Sequence, residues 1–249
     1  MNALIAQYVA LFPRPEEGRE DGLLCTGGDL HPARLLAAYS MGIFPWYDAG
    51  SPILWWSPDP RCILLPTEFR LPRRSARVLR RRPFELTLNA AFGQVIRCCA
   101  QPRESGGGTW ITPDMIAAYE LLHELGYAHS VEAWRDGQLA GGLYGVALGK
   151  AFFGESMFCR TSEASRAALA GLVSLLCLRG ATLLDCQQQS LHIMRMGGCL
   201  VSRREFLLQL QKALPPEGRA GRAGSESRWQ PWEEHYDYSV ISGSWISRS

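Results

Sequence analysis

Several features that would define a class of protein are missing from this sequence of 249 residues. No stretch approaches the ~20 consecutive apolar residues that a membrane-spanning helix needs. The first residues, MNALIAQYVALFPRP, lack the basic segment and the small-residue cleavage site of a secretory signal peptide. The net charge is only +2, so any binding to nucleic acid requires a local cluster of basic residues. These absences predict a cytoplasmic protein without a membrane segment.

The common motifs for metals and activated nucleophiles are missing as well. The eight cysteines include no C-x-x-C pair, and none of the five histidines lies at metal-ligand spacing from another. There is also no G-x-S-x-G nucleophile elbow and no Walker phosphate-binding loop. We therefore expect no bound metal, and we interpret the cysteines as reduced core residues in a reducing compartment.

Caps, turns and side-chain alternation predict an α+β fold with a mixed sheet. Pro32 starts a short helix that extends to Met41, and Thr112 caps a second helix that Gly126 ends. Further helices are predicted at 91–100 and 165–178, and strands at 84–89, 128–134, 138–148, 151–158 and 182–187. Strands in a meander, followed by a helix and another strand, are typical of this class. Residues 42–61 are rich in Pro and Trp, and they form either a loop-rich apolar layer or an aromatic binding surface.

Basic residues are concentrated in one stretch. Residues 61–82 contain eight arginines and a single acid, Glu68. After Pro72, the spacing of Arg73, Arg77 and Arg80 places them on one face of a helix. A solvated helix face usually mixes both charge signs, and this one does not. The run therefore favours phosphate binding, with a solvated face as the alternative.

Polar residues within two apolar strands are the strongest candidates for chemistry. Asp185 and Gln187 end the strand TLLDCQ, and alternation predicts that they project to the same face while Cys186 points away. Glu155 lies inside AFFGESMF, where a charge is costly unless it is paired or functional. If the two strands are neighbours, the three side chains line one polar site. A carboxylate that merely caps a strand end is the alternative for Asp185.

A set of sequence blocks resembles the leucyl/phenylalanyl-tRNA–protein transferase family. The blocks are LCTGGDL followed by HPARLLAAYSMGIFPW, then ILWWSPDPR, GTWIT, GGLYGV, FFGESMF and LLDCQ, in the family's order from about residue 10 to residue 210. Each block alone is weak, but together they are specific. The chain departs from the family pattern at Ser190 and Arg195 and in the segments MFCR and EASR, and it does not resemble the family after Pro215.

The resemblance implies a small amino-terminal domain, residues 1–62, and an acetyltransferase-like (GNAT) domain, residues 63–214. Residues 215–249 are predicted to form a divergent tail, because PPEGRAGRAGSES is of low complexity. The implied activity moves Leu or Phe, and less readily Met, from aminoacyl-tRNA to proteins that begin with Lys or Arg. The product is then a degradation signal of the bacterial N-end rule pathway.

The implied reaction, the arginine run and the resemblance together assign roles to residues. Asp185 and Gln187 are the expected catalytic pair, in which Gln187 orients the attacking amine and Asp185 fixes Gln187 and receives or relays the proton of the amine. The expected substrate-binding residues are Trp46, Trp110, Phe152, Glu155, Met157, Leu169 and Ser190, with Glu155 pairing with the acceptor's basic first residue. The expected tRNA-binding residues are Arg73, Arg74, Arg77, Arg80 and Arg81. An aminoacyl ester is already activated, so the reaction needs no cofactor, and catalysis is largely a matter of positioning.

Two other functions remain open at this stage. A CoA-dependent N-acetyltransferase of the same fold needs a glycine-rich pyrophosphate loop, but the segment CRTSEAS that precedes the helix at 165 has no glycine. A non-catalytic RNA-binding module could use the arginines without needing Asp185 and Gln187. A transfer assay with charged tRNA separates both from the aminoacyltransferase.

Overall fold

The structure is a computed structural model, and it describes residues 2–102 and 110–214. Within these ranges the helices are α1 (Asn2–Leu11), α2 (Pro32–Ser40), α3 (Arg73–Leu79), α4 (Phe92–Cys99), α5 (Pro113–Glu124), α6 (Ala164–Leu178), α7 (Leu191–Met194) and α8 (Arg203–Ala213). The strands are β1 (Leu23–Thr26), β2 (Phe44–Pro45), β3 (Leu54–Trp56), β4 (Arg61–Leu64), β5 (Glu85–Leu88), β6 (Ala128–Arg135), β7 (Gln138–Leu148), β8 (Ala151–Cys159), β9 (Leu183–Gln187) and β10 (Cys199–Val201).

Seven strands form one mixed sheet in the order β10-β4-β9-β8-β7-β6-β5. Every neighbouring pair is antiparallel except β8 and β9, which run parallel. The crossover between these two strands is α6, as a parallel connection requires. A small antiparallel sheet, β1-β3-β2, precedes the large one. The predicted α+β class with a mixed sheet is confirmed.

The large sheet has an apolar core on each face. One core joins α2, α4, α5 and α8 to the sheet through side chains such as Tyr39, Tyr119 and Phe206. The other core packs α6 onto the opposite face, around Leu169, Leu172 and similar residues. Because α2 shares a core with α4 and α5, residues from the first quarter of the chain pack directly against the large sheet.

The helix caps and turns that the sequence predicts are present. The Thr112 side chain accepts a hydrogen bond from the Met115 backbone N–H, 3.3 Å away, and α5 begins at the next residue, Pro113. Gly126 and Gly180 have positive φ angles of 79° and 65° just beyond α5 and α6. The Pro- and Trp-rich stretch 42–61 holds only β2, β3 and the start of β4.

The predicted domain boundary after residue 62 falls inside β4. This strand starts at Arg61 and pairs with β9 and β10 in the large sheet. The division into residues 1–62 and 63–214 stays a prediction, and the predicted tail at 215–249 lies outside the described residues.

Candidate functional site

The candidate site is a cavity beside the parallel pair of strands. The pairing of β8 with β9 ends at Phe153 and Asp185, although β8 continues to Cys159. A cavity of about 490 Å³ lies where the two strands no longer pair. Its wall includes seven of the residues predicted from the sequence: Trp46, Trp110, Glu155, Met157, Leu169, Gln187 and Ser190. A gap between two strands of a sheet thus brings together residues from five separate parts of the chain.

Two of the predicted residues are not on the cavity wall. Phe152 is fully buried in the core that α6 covers, and its ring lies against Gly145. Asp185 is also fully buried, behind the wall. Any contribution of these two residues to the cavity must pass through their neighbours.

One part of the cavity is apolar. Met157 on β8 and Leu169 on α6 face it together with Leu143 and Leu172. This wall suits an apolar side chain, and Met adapts its shape to different occupants.

Tryptophans flank the cavity on the side of the small sheet. Trp46 is 37% exposed, and its backbone carbonyl accepts a hydrogen bond from the Trp56 indole N–H at 2.7 Å. Trp110 is partly buried just before α5. Gly108 and Thr109 of the GTWIT block lie outside the described residues.

Glu155 is the polar centre of the cavity. Its Oε2 accepts a hydrogen bond from the Tyr119 hydroxyl at 3.0 Å, and its Oε1 accepts one from Gln187 Nε2 at 2.7 Å. The hydroxyl groups of Tyr39 and Tyr119 are in turn hydrogen-bonded to each other. Burial raises the pKa of Glu155 to about 7, against the stabilising effect of these hydrogen bonds on the carboxylate. The carboxyl group therefore changes its charge close to neutral pH.

Gln187 is held in an unusual backbone conformation. Its φ angle is 60°, in the left-handed region that non-glycine residues rarely adopt. The pairing of β4 with β9 shifts at this point, so that Cys62 lies opposite Gln187 while Ile63 lies opposite Asp185. Cys186 packs against the core that α6 covers. Asp185 and Gln187 make their side-chain contacts, with Arg61 and Glu155, on the opposite side of the sheet, as alternation predicts. Only Gln187 of this pair reaches the cavity wall.

Asp185 forms a buried ion pair with Arg61. The Arg61 Nε donates to Asp185 Oδ1 at 2.9 Å, and Nη2 donates to Oδ2 at 2.7 Å. Asp185 Oδ1 also accepts the backbone N–H of Gln187 at 2.9 Å. The carboxylate thus reaches Gln187 through the backbone and not through the amide side chain.

Sequence reasoning did not identify Arg61, Tyr39 and Tyr119 as parts of this network. Arg61 stood at the head of an arginine run, but it is 1% exposed and does not belong to a surface patch. One available signal was its place at the start of the apolar strand segment RCILL. The two tyrosines carry no signal of their own, because their contact joins residues that are 80 positions apart.

The remaining arginines of the run do form an exposed patch. Arg73, Arg74, Arg77, Arg80 and Arg81 are all exposed, while Ser75 and Ala76 turn the other face of α3 to the interior. In the part of the chain that the structure describes, no acidic side chain forms an ion pair with these five arginines. The predicted helix face with charges of one sign is therefore present.

The Ser190 hydroxyl caps α7, accepting the Ile193 backbone N–H at 3.2 Å. Arg195, the other departure from the family pattern in this region, is exposed. All eight cysteines are free thiols. Over residues 2–102 and 110–214 there is no cluster of three or more potential metal ligands, and no helix has the length and hydropathy to cross a membrane.

Comparison with known proteins identifies the family. The family model described as leucyl/phenylalanyl-tRNA protein transferase matches residues 63–211, and the model of that family's N-terminal domain matches residues 28–59. A leucyl/phenylalanyl-tRNA–protein transferase of Syntrophotalea carbinolica is 57% identical over 216 residues, which cover 84% of this chain and 94% of the relative. Another, from Alkalilimnicola ehrlichii, is 56% identical over 234 residues, which cover 93% of this chain and 87% of the relative.

Among solved structures, a GCN5-related N-acetyltransferase-like protein from Streptococcus suis aligns with a TM-score of 0.33 at 12% identity, over 65% of this chain and 60% of that one. The first of these family models matches more than half of the chain, and the two curated relatives are 57% and 56% identical over 84% and 93% of it. The chain therefore belongs to the leucyl/phenylalanyl-tRNA–protein transferase family of aminoacyltransferases.

Proposed function

We propose that this enzyme transfers Leu or Phe, and less readily Met, from aminoacyl-tRNA to the N-terminal Lys or Arg of acceptor proteins. The observation that carries the proposal is the cavity beside β8 and β9, which has an apolar wall at Met157 and Leu169 and a polar centre at Glu155 and Gln187. The apolar wall suits the side chain of the transferred amino acid. The polar centre suits the amine that attacks its ester.

The hydrogen bonds of Glu155 support a specific role for the Gln187 amide. An ionised carboxylate can only accept hydrogen bonds, so it draws the amide nitrogen of Gln187 toward itself. This orientation leaves the Gln187 Oε1 as an acceptor for an N–H of the attacking amine. An α-amine has an ordinary pKa of ~7.7–8.0, so a useful neutral fraction exists near neutral pH. In this scheme, Gln187 orients the amine against the ester carbonyl.

Glu155 supports the reaction through its charge as well. As the amine attacks, its nitrogen becomes positively charged, and the buried Glu155 carboxylate stabilises that charge. The new C–N bond replaces the ester C–O bond, and the proton lost by the nitrogen goes to the departing 3′-oxygen of the tRNA. The same negative charge favours an acceptor with a basic first residue. Asp185 lies farther back, where Arg61 neutralises its charge. We assign Asp185 to the fixing of the Gln187 backbone, because this is the contact that it makes.

The tryptophans and the exposed arginines fit the tRNA part of the donor. Trp46 and Trp110 offer aromatic faces beside the cavity for the terminal adenosine, and such stacking contributes ~1–3 kcal/mol per base. The patch on α3 suits the phosphate backbone. We place the reaction in the cytoplasm, where charged tRNA is available. The new N-terminal Leu or Phe would mark the acceptor for degradation by the bacterial N-end rule pathway.

A transfer assay tests this proposal directly. Purified enzyme is incubated with tRNA carrying labelled Leu, Phe, Met or Ile, and with a protein that begins with Arg, Lys or Gly. We expect transfer of Leu and Phe to the Arg and Lys acceptors, weaker transfer of Met, and little transfer to Gly. Ile should be disfavoured by ~1–3 kcal/mol, since its branched Cβ crowds the ester.

Matched controls separate the alternatives. Acetyl-CoA replaces the charged tRNA in one arm, and acetylation in that arm alone would identify an N-acetyltransferase. Binding of charged tRNA without transfer to any acceptor would identify an RNA-binding module. Equal transfer of Ile and Leu would show that the apolar wall does not select the donor.

A further inference from the structure

Arg61 is an unusually enclosed arginine next to the candidate site. Its guanidinium lies between the rings of Phe44 and Phe206, at 4.8 and 4.5 Å from their centroids, and the residue is 1% exposed. Its Nη1 has no hydrogen-bond partner among the described residues. Burying a cation in this way is costly, and replacing a buried ion pair with apolar groups is often neutral or stabilising. The stability of the fold alone therefore does not account for Arg61.

The contacts of Arg61 lead step by step to the polar centre of the cavity. Two parallel hydrogen bonds fix the Asp185 carboxylate, and a bidentate pair fixes both position and orientation. Asp185 Oδ1 then accepts the Gln187 backbone N–H, and the Gln187 amide donates to Glu155. Gln187 meanwhile holds a left-handed backbone at φ 60°, a strained conformation that persists in a non-glycine residue only where the surrounding structure imposes it. The surroundings that impose it include the Asp185 carboxylate.

We propose that Arg61 is a positioning residue for aminoacyl transfer, which acts through Asp185 to hold the Gln187 amide against Glu155. The proposal rests on the proposed function, since it assigns Gln187 to the orientation of the attacking amine. Arg61 is buried and is not on the cavity wall, although Phe44, whose ring it contacts, lines the cavity. Its effect is therefore expected on turnover and not on the binding of aminoacyl-tRNA.

Substitutions at Arg61 test this role against a purely structural one. Arg61→Lys keeps the charge but loses the two-pronged contact with Asp185. We expect its kcat to fall by ~10- to 100-fold, since small misplacements of reacting groups have effects of this size. The KM for leucyl-tRNA should stay within about twofold of the wild-type value, because the donor-binding residues are intact.

Arg203→Met is the matched control. Arg203 is the other buried arginine among the described residues, at 7% exposure, and its Nη1 donates to the Pro15 carbonyl, away from the cavity. We expect Arg203→Met to lower the melting temperature and to leave kcat at the wild-type value. A similar kcat for Arg61→Lys and Arg203→Met, in folded protein, would overturn the proposal.

A cycle of substitutions tests whether Arg61 acts through Asp185. Arg61→Met leaves an uncompensated buried carboxylate and is expected to fold poorly. Arg61→Met combined with Asp185→Asn removes both charges, so kcat can still be measured if Arg61→Met alone does not fold. If the two residues act as one unit, the combined variant loses no more kcat than Asp185→Asn alone. Losses in kcat that multiply would show that Arg61 does not act through Asp185.

The pH dependence of turnover provides a readout that loss of packing would not change. The titratable and polar groups that face Glu155 are Tyr39, Tyr119, Tyr144, Asp185 and Gln187, and the charge on Asp185 raises the pKa of Glu155. Without Arg61, the positive charge that offsets the Asp185 carboxylate is lost. The midpoint of kcat against pH is therefore expected to move to higher pH in Arg61→Met, or in Arg61→Gln if the former does not fold, and to return in the combined variant. An unchanged midpoint in a folded variant that lacks the positive charge at position 61 and keeps Asp185 would contradict the proposed role.

The wild-type enzyme in the same experiment separates the two proposals. If it transfers Leu to an Arg acceptor while the Arg61 variants behave like Arg203→Met, only the role of Arg61 fails. If the wild-type enzyme transfers no amino acid from any charged tRNA, the proposed function fails and the role of Arg61 fails with it.

Discussion

At the scale of single residues, Glu155 is defined by its neighbours more than by its position in the sequence. It was predicted to pair with the acceptor's basic first residue, and the structure adds hydrogen bonds to Tyr119 and Gln187. Glu155→Gln keeps the shape of the side chain but loses its negative charge. The new amide can donate as well as accept hydrogen bonds, so it no longer fixes the orientation of the Gln187 amide. We expect kcat to fall on the order of 10². The KM for leucyl-tRNA should not change.

The same variant separates the two roles of Glu155. Kinetics with acceptors that begin with Arg measure kcat and the acceptor KM independently. A higher acceptor KM at normal kcat would mean that Glu155 only pairs with the acceptor. Leu169→Ala is a useful reference variant, since it changes the apolar wall of the same cavity and should weaken selection of the donor.

The polar network also shows what the sequence could not predict about single residues. Asp185, Gln187 and Glu155 stood out because they interrupt apolar strands, and two of the three line the cavity. The partner of Asp185 is Arg61, 124 positions earlier, and no local pattern connects them. Alternation predicted the side of the sheet that Asp185 and Gln187 share, but not that only Gln187 reaches the cavity wall, because the irregular pairing with β4 at Gln187 depends on a distant strand.

At the scale of elements, α3 presents one buried face and one arginine-rich face. We expect the combined change of Arg73, Arg77 and Arg80 to Ala to raise the KM for leucyl-tRNA and to leave kcat at saturating tRNA nearly intact. Each phosphate contact contributes roughly 0.7 to 0.9 to the slope of log affinity against log salt, so the loss of three contacts should flatten that slope by roughly 2 to 3. Binding measured over a range of salt concentrations checks this.

A second triple variant controls for net charge in that experiment. Changing Arg19, Arg135 and Arg204 to Ala removes the same charge from exposed positions outside α3. Its KM and salt slope should stay close to those of the wild-type enzyme. Equal effects of the two triple variants would mean that the arginines of α3 contribute only to the overall charge.

Elements with strong end signals were predictable, and those that depend on distant partners were not. Residues such as Thr112 and Pro113 define the start of α5 locally, and a hairpin turn at Asp136 and Gly137 joins β6 to β7. By contrast, β10 has three residues and exists because it pairs with β4, which precedes it by more than 130 positions. The order of strands in the large sheet likewise depends on packing that the sequence does not display.

At the scale of the whole molecule, two buried groups change the pH dependence of stability in opposite directions. Burial raises the pKa of Glu155 from its ordinary 4.5 to about 7, so the folded state keeps a proton that the unfolded state has released. The free energy of unfolding therefore falls as pH rises through this window. Burial lowers the pKa of His129 from 6.5 to about 3, so here the unfolded state binds the extra proton. The contribution of His129 to the free energy of unfolding therefore rises with pH.

The two contributions overlap between about pH 4.5 and 6.5, where each amounts to at most ~1.4 kcal/mol per pH unit. Glu155→Gln removes the contribution of Glu155 to the free energy of unfolding, which falls as pH rises. The difference in unfolding free energy between this variant and the wild-type protein should therefore increase with pH across the window. His129→Asn removes the rising contribution, so its difference from the wild-type protein should decrease with pH. Urea unfolding at several pH values measures both differences, and other titrating groups, such as Glu132, cancel because they are common to all three proteins.

Parallel curves for the wild-type protein and Glu155→Gln would show that Glu155 titrates alike in the folded and unfolded states. The carboxyl group would then carry its full charge at pH 6, and the midpoint of kcat against pH would have to come from the acceptor amine alone.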